Sequence, residues 1–389
     1  MIIDFSGKGD GMKFIHLSDL HIGKRVNEFS MIEDQVHILK EIIGIIKEVS
    51  PDGVIIAGDV YDKPIPSAEA VRLFDDFVFE LSRLSLEVFI ISGNHDSPER
   101  IAFGSRVMEA GGIHLSPVFD GNIVPTVMRD EHGEVKVYML PFIKPAHARR
   151  CFPEKEVESY TDAVRAAVES MNVDTSVRNI IVTHQFVTGA SVCESEELSV
   201  GGTDNVDACV FDDFDYVALG HIHGPQHVSR PTVRYCGTPL KYSFSEASHK
   251  KSVTVVELRA KGDVKIDTIP LVPLRDMREI RGSYMEVTAR DFYKDTDTED
   301  YIRVTLTDEE DIPDAIGKLR CIYPNIMRLD YDNHRTRAAF SLEVGAECEN
   351  KSPYQLFMEF YELQNGLPMS EEQQRFVLSL MESIWESQN

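Results

Sequence analysis

The chain has 389 residues, 42% hydrophobic and 27% charged, with a formal net charge of −25. That composition belongs to a globular chain with room for two or three domains, and the acidity weighs against binding nucleic acid over a broad surface, because phosphate contacts need Lys and Arg. No apolar run approaches the ~18 residues that span a bilayer. The first eleven residues lack a charged n-region and an apolar h-region, so they read as a loose leader and not as a signal peptide. Six scattered cysteines with no C-x-x-C pair exclude a disulfide framework and a thiolate zinc site, and fit a reduced, cytoplasmic chain.

In chain order, residues 13–18 read as the first strand. Val36, Leu39, Ile42, Ile43 and Ile46 recur at helical spacing between Met31 and Val49, and Ser50-Pro51-Asp52-Gly53 stops that helix. The apolar run Val54–Ala57 is a buried strand. Ser67 caps a helix to Leu84 whose apolar face carries Val71, Phe74, Phe77, Val78 and Leu81. A strand over 87–91 and a helix over Pro98–Ala110 complete β-α-β-α-β-α, which predicts a largely parallel sheet. Val124–Met128 and Val135–Leu140 flank a polar turn as a hairpin, and Val157–Met171 is an amphipathic helix. Short β segments at 227–230, 233–236, 252–258 and 264–269 alternate as if forming a second sheet packed on the first. Pro270-Leu271-Val272-Pro273 marks a boundary. Beyond it, 301–306, 312–321, 327–331 and 338–342 suggest a small α+β unit, and 354–363 and 371–385 two helices with heavy apolar faces.

With two further apolar runs, Asn179–Val182 and Tyr216–Leu219, five strands deliver polar groups where they end: Asp19 and His21, Asp59, Asn94-His95-Asp96, His184, and His221 with His223. Ligands of open α/β sheets bind at the carboxyl ends of strands, and Asp, His and Asn suit Mn, Fe, Zn or Mg. Two divalent ions about 3.5–4 Å apart can clamp both oxygens of an in-line phosphoryl displacement. Such a site needs a carboxylate reaching both ions, and Asp59 is the candidate. Asp19, His21 and His223 would complete one metal, and Asn94, His184 and His221 the other. Alternation in Asp19-Leu20-His21 and His221-Ile222-His223 predicts that the flanking side chains share one side of an extended segment. His95 would face the scissile phosphate and protonate the leaving oxygen or stabilise developing charge. Asp96 would orient it or satisfy nearby backbone N–H groups. Asp62 is expected behind the ligands, and His16 to be structural.

Asp19-x-His21, Gly58-Asp59-x-x-Asp62, Gly93-Asn94-His95-Asp96, His184 and Gly220-His221-x-His223 resemble the calcineurin-like metallophosphoesterase family. That resemblance implies a four-layer β-sandwich flanked by helices. Within the family, His16–Lys24, Tyr235–Leu240, Ser243–Ala247 and His249–Ser252, with the tail around Tyr354–Phe357, resemble the SbcD nuclease subunits. The resemblance implies an α/β nuclease domain over 12–272, a small α+β capping domain over 275–345 and a C-terminal helical segment over 350–389 that grips the coiled coil of an SbcC-type ATPase. It further implies a DNA exonuclease and endonuclease using two divalent ions, Mn2+ in particular, and a homodimer. Lys24, Arg25, Lys250 and Lys251 are candidate DNA contacts. A phosphoesterase for a small phosphodiester or a phosphoprotein would share the same metal residues, so only the 237–252 stretch and the C-terminal extension separate the two readings. A scaffold with a decayed site would lack ligands, and every expected ligand type is present.

Overall fold

The structure, a computed structural model, describes residues 11–196, 204–334, 336, 354, 357–358, 360–362 and 368–386. It divides into two units, Met1–Arg278 and Glu279–Asn389. Most of the leader, the predicted strand 338–342 and residues 355, 356, 359 and 363 of the predicted helix 354–363 lie outside the described residues.

The first unit opens with β1 (Met12–Leu17), the short hairpin β2 (Arg25–Val26) and β3 (Phe29–Ser30), α1 (Ile32–Val49), β4 (Gly53–Ala57), α2 (Ala68–Ser82) and β5 (Glu87–Ile91). It continues through α3 (Pro98–Ile101), α4 (Ser105–Met108), β6 (Ile113–Leu115), β7 (Thr126–Asp130), β8 (Gly133–Leu140), α5 (Pro145–Cys151) and α6 (Tyr160–Ser170). It ends with β9 (Arg178–His184), β10 (Tyr216–Gly220), β11 (Gln226–Val228), β12 (Arg230–Tyr235), β13 (Ser252–Leu258) and β14 (Val264–Pro270).

β2 and β3 pair with each other, and the other twelve strands form two six-stranded sheets, ordered β14-β13-β1-β4-β5-β6 and β11-β12-β10-β9-β8-β7. Side chains alternate across each strand, and the inner faces meet in one core. Phe14, Ile55, Ala57, Phe89 and Ile91 pack there against Val135, Val137, Ile180, Val182 and Ala218. The outer face of the second sheet buries Tyr138, Leu140, Ile181 and Leu219 with Ala148, Ala163, Val164 and Ala167 of α5 and α6. On the outer side of the first sheet Ile15, Ile56 and Ile90 are buried, as are Ile38, Ile42 and Ile46 of α1 and Phe77 and Leu81 of α2. The result is the four-layer, mixed α/β sandwich.

Three expectations change. The 252–258 and 264–269 segments do not join the second sheet: β13 pairs antiparallel with β1, Met12 opposite Leu258, and β14 pairs with β13. The 98–110 helix is broken, because Gly104 takes a left-handed φ of 78° between α3 and α4. Val36 and Val71 point to solvent, which narrows the buried stripes of α1 and α2.

In the second unit β15 (Met277–Gly282) is followed by α7 (Tyr284–Val287), α8 (Arg290–Tyr293), β16 (Tyr301–Leu306), α9 (Ala315–Leu319) and β17 (Ile326–Tyr331). The sheet order is β15-β16-β17, with β16 and β17 parallel and α9 between them in sequence. Ile302, Val304, Leu306, Leu319, Tyr323 and Ile326 form its core. A final helix, α10 (Glu371–Glu386), carries exposed Phe376 and Leu378. Among the described residues no helix is long and apolar enough to cross a membrane.

Candidate metal centre

Parallel strands β1, β4 and β5 of the first sheet, and β9 and β10 of the second, end on one edge of the sandwich. Their polar termini converge there. The turns that do this are not extended: Asp19, His21, Asp59 and His221 have φ of 52°, 44°, 47° and 104°. The predicted extended arrangement of Asp19-Leu20-His21 is therefore corrected. Left-handed backbone costs an L-residue roughly 1–2 kcal/mol. Here it lets the Asp19 N–H donate to the Gly58 carbonyl at 3.0 Å and the His21 N–H to the Asp59 carbonyl at 2.9 Å, which ties two strand ends together. The crowding leaves no room for side chains at two glycines. A Cβ on Gly93 would lie 2.1 Å from Asp59 Oδ1, and one on Gly220 would lie 1.9 Å from the Ala57 carbonyl oxygen.

All seven predicted ligand residues come together. Asp19, His21 and His223 present donor atoms within 4.8 Å of one another, as do Asp19, Asp59 and His184. Asn94 Oδ1 lies 2.9 Å from His184 Nε2 and 3.0 Å from His221 Nδ1. Asp59 Oδ2 sits between the two groups, 3.7 Å from His21 Nε2 and 3.3 Å from His184 Nε2. His21 Nε2 faces His223 Nε2 at 3.2 Å. The His184 Nδ1–H donates to the Ala57 carbonyl at 2.8 Å, which turns Nε2 toward Asp59 and Asn94. Two carboxylates, an amide oxygen and four imidazoles, converging with no Lys or Arg among them, form a donor set for borderline divalent cations.

The electrostatics agree. Burial raises the Asp19 carboxyl above the usual range, and His184 and His223 oppose it. Burial would also raise Asp59, but His184 and His21 hold it well below that range. Burial depresses the basicity of His184, yet Asp59 and Asp19 outweigh it and push its pKa up to about 9. Burial holds His21 and His221 low, so both rings stay neutral and keep lone pairs for a metal. Carboxylates that draw a proton onto a buried imidazole draw a cation by the same Coulomb attraction.

Around this set the predicted residues separate. His95 is half-buried, its ring 4.9 Å from that of His21, and its N–H donates to Asp59 Oδ1 at 2.9 Å. Asp96 does not touch the His95 ring. Its carboxylate accepts the N–H groups of Val60 (3.1 Å), Tyr61 (2.9 Å) and Gly93 (2.9 Å), so it braces the loops that carry Asp59 and Asn94. Burial, then Asp59, pushes its pKa up to about 6. Lys24 bonds Asp62 at 2.8 Å, while Arg25 and Lys250 are exposed. Lys251 is not a surface cation. It is buried, with Nζ donating to the His223 carbonyl at 2.9 Å and Thr238 Oγ1 at 2.7 Å, and also to Glu246.

Sequence reasoning did not single out Glu246, Ser195, Glu196, Gln35 or Tyr242 for the site. Glu246 is fully buried, and although burial raises its carboxyl, His223 and Lys251 hold it well below the usual range. Gln35 donates to the His21 carbonyl at 2.8 Å and Tyr242 to that of Leu20 at 2.7 Å. The 243–252 stretch carried a signal for Glu246 and Lys251. Ser195 and Gln35 carried none.

The calcineurin-like phosphoesterase family model matches residues 12–225, and the SbcD C-terminal model, described as type 5 capsule protein repressor C-terminal domain, matches residues 273–365. The chain is 33% identical over 322 residues to SbcD of the nuclease SbcCD from Staphylococcus epidermidis, covering 82% of this chain and 85% of that one. The chain belongs to the SbcD family of calcineurin-like phosphoesterases. It is accordingly a metal-dependent phosphodiesterase. Among solved structures, a dimetal phosphatase from Danio rerio matches with a TM-score of 0.44 and 12% identity over 68% of this chain and 99% of that one. The GAP50 anchor of the Plasmodium inner membrane complex matches with a TM-score of 0.43 and 12% identity, over 67% and 85%.

Proposed function

We propose that this chain is the nuclease subunit of a DNA-end-processing complex, cleaving DNA phosphodiesters by exonuclease and endonuclease action. The observation that carries the reading is the convergence of seven donors from five strand ends, with Asp59 between His21 and His184. Asp19, His21, Asp59 and His223 would hold one divalent ion, and Asp59, Asn94, His184 and His221 the other, both Mn2+ by family resemblance. Such ions would supply Lewis acidity, lowering the pKa of water and neutralising charge on the phosphate.

His95 acts on the leaving side. Its Nδ1 lies 3.1 Å from the Asp62 carbonyl oxygen, which only accepts, so the proton sits on Nδ1 and Nε2 is the atom free to exchange a proton or carry charge. Asp96 holds the loop and does no chemistry. Lys24, Arg25 and Lys250 contact DNA phosphates. Residues 12–272 form the nuclease domain, 275–345 a cap and 350–389 the segment that binds an SbcC-type ATPase with a coiled coil, in the cytoplasm. Homodimerisation is supported by exposed Phe103 and Val107 on the α3–α4 segment.

The test is hydrolysis of linear double-stranded DNA and of bis-p-nitrophenyl phosphate with Mn2+ and with EDTA. Cleavage of both, lost with EDTA, is the expected result. Cleavage of the small diester alone, unchanged when the ATPase is added, overturns the nuclease reading.

A further inference from the structure

The second nitrogen of His223 is not left to solvent. Ser195 Oγ lies 2.7 Å from His223 Nδ1 and 2.6 Å from Glu246 Oε1. Glu246 is fully buried, and donors already point at both its oxygens: the Tyr242 N–H at Oε1, 3.2 Å away, and the Lys251 ammonium at Oε2. A carboxylate ringed by donors is an acceptor only. The Ser195 hydroxyl has one hydrogen, and an oxygen 2.6 Å from a carboxylate oxygen must place it between them. Its lone pair then faces His223, and the hydrogen in that 2.7 Å contact must come from Nδ1.

We propose that Ser195 is a positioning residue: with Glu246 it holds His223 in the Nδ1–H tautomer, so that the Nε2 lone pair faces His21 and the metal centre. The relay is a carboxylate–histidine–metal arrangement with a hydroxyl inserted between the first two members. It reaches His223 from the segment after β9, far from Glu246 in sequence, and that segment is itself fastened to the 220s and 240s. Glu196 Oε1 accepts the His223 N–H at 2.6 Å, the Glu194 N–H donates to Ser245 Oγ at 3.1 Å, and Ser191 and Gln226 exchange two bonds of 2.8 Å. The metal affinity of His223 therefore depends on the 191–196 loop staying in place.

The inference rests on the metal-centre reading above for its affinity arm only. The experiment uses the full chain with Ser195→Ala, and Ser195→Thr as the variant that keeps the hydroxyl. Mn2+ affinity is measured by calorimetry. The tautomer is read from the ring 15N shifts of His223 in metal-free protein, assigned through His223→Gln. Ser195→Ala should weaken Mn2+ binding ~10–100-fold, the usual cost of losing a ligand's own support, and should lose the Nδ1–H pattern, while Ser195→Thr restores both. Ser195→Ala with either readout at the wild-type value overturns the proposal. Wild-type chain that takes up no Mn2+ overturns the metal-centre reading instead, and the tautomer readout then decides the relay alone.

Discussion

The two units treat charge in opposite ways. In the first, Asp19, His21, Asp59, His184, His221 and His223 are all buried on one edge of the sandwich, several on left-handed backbone. In the second, Arg303 bonds Asp330 at 2.7 Å and Glu279 at 2.9 Å with all three side chains partly in water, around an apolar core of Ile302, Val304, Leu306 and Tyr323. Taking ionisable groups out of water costs several kcal/mol each unless they are paired or bind a metal. A fold that gathers six buried ionisable groups at one place, while the second unit buries Asp300 and keeps the Arg303 pairs partly in water, shows where its chemistry lies. The second unit spends its residues on shape and surface.

Three measurements press on that contrast. The largest effect is expected at His95, proposed above to act on the leaving side, although its ring also lies within reach of a metal group with His21 and Asp59. His95→Gln should slow Mn2+-dependent DNA cleavage ~10²–10⁴-fold, the range for a lost proton donor, with the metal content of the purified variant unchanged; a drop in bound metal would make His95 a ligand.

A second substitution asks whether buried charge in the first unit also serves structure. Arg178, buried on β9, pairs with Asp130 and donates to the carbonyls of Leu258 (3.1 Å), Arg259 (3.1 Å) and Gly133 (2.9 Å), joining the two sheets. Arg178→Met should cost about 3 kcal/mol in denaturant unfolding. Burial raises the Asp130 carboxyl, but Arg178 outweighs it and holds it low. The pair's contribution is thus present above the ordinary carboxylate range and lost as pH falls through the depressed folded pKa. The stability gap between wild type and variant should narrow in acid, and a gap that widens would sink the assignment.

The smallest effect belongs to the second unit. Arg303→Met should cost less than about 1 kcal/mol and leave Mn2+ affinity at the wild-type value. A larger loss would mean that its surface pairs are not the weak, solvated kind.

Much of the site was legible in the sequence because each block is an apolar run that stops abruptly at a donor. Asp19, Asp59, Asn94, His184 and His221 follow buried strands, and local pattern finds strand ends well. What failed needed long-range information. Alternation in 252–258 says that a strand exists but not that it pairs with β1. The spacing of Asp19 and His21 suggested extended chain because hydrogen bonds to Gly58 and Asp59, forty residues on, cannot be seen locally. Lys251 looks like Lys250 in a basic run, and only Glu246 folded beneath it turns it inward. Asp96 takes the second of its two expected roles, accepting the backbone N–H groups of Val60, Tyr61 and Gly93, and not the first.

The centre also has a mechanical side. Asp19, His21, Asp59 and Asn94 follow strands of one sheet, while His184, His221 and His223 follow strands of the other. A cation held across that set is a rivet between two plates that otherwise meet through an apolar core and a few hydrogen bonds, such as those from His184 to the Ala57 carbonyl and from Arg178 to the Leu258 carbonyl. Loading with metal should therefore raise the force needed to slide the sheets apart, and chelation should soften the same joint. The ion content of the nuclease unit would then contribute to its mechanical strength.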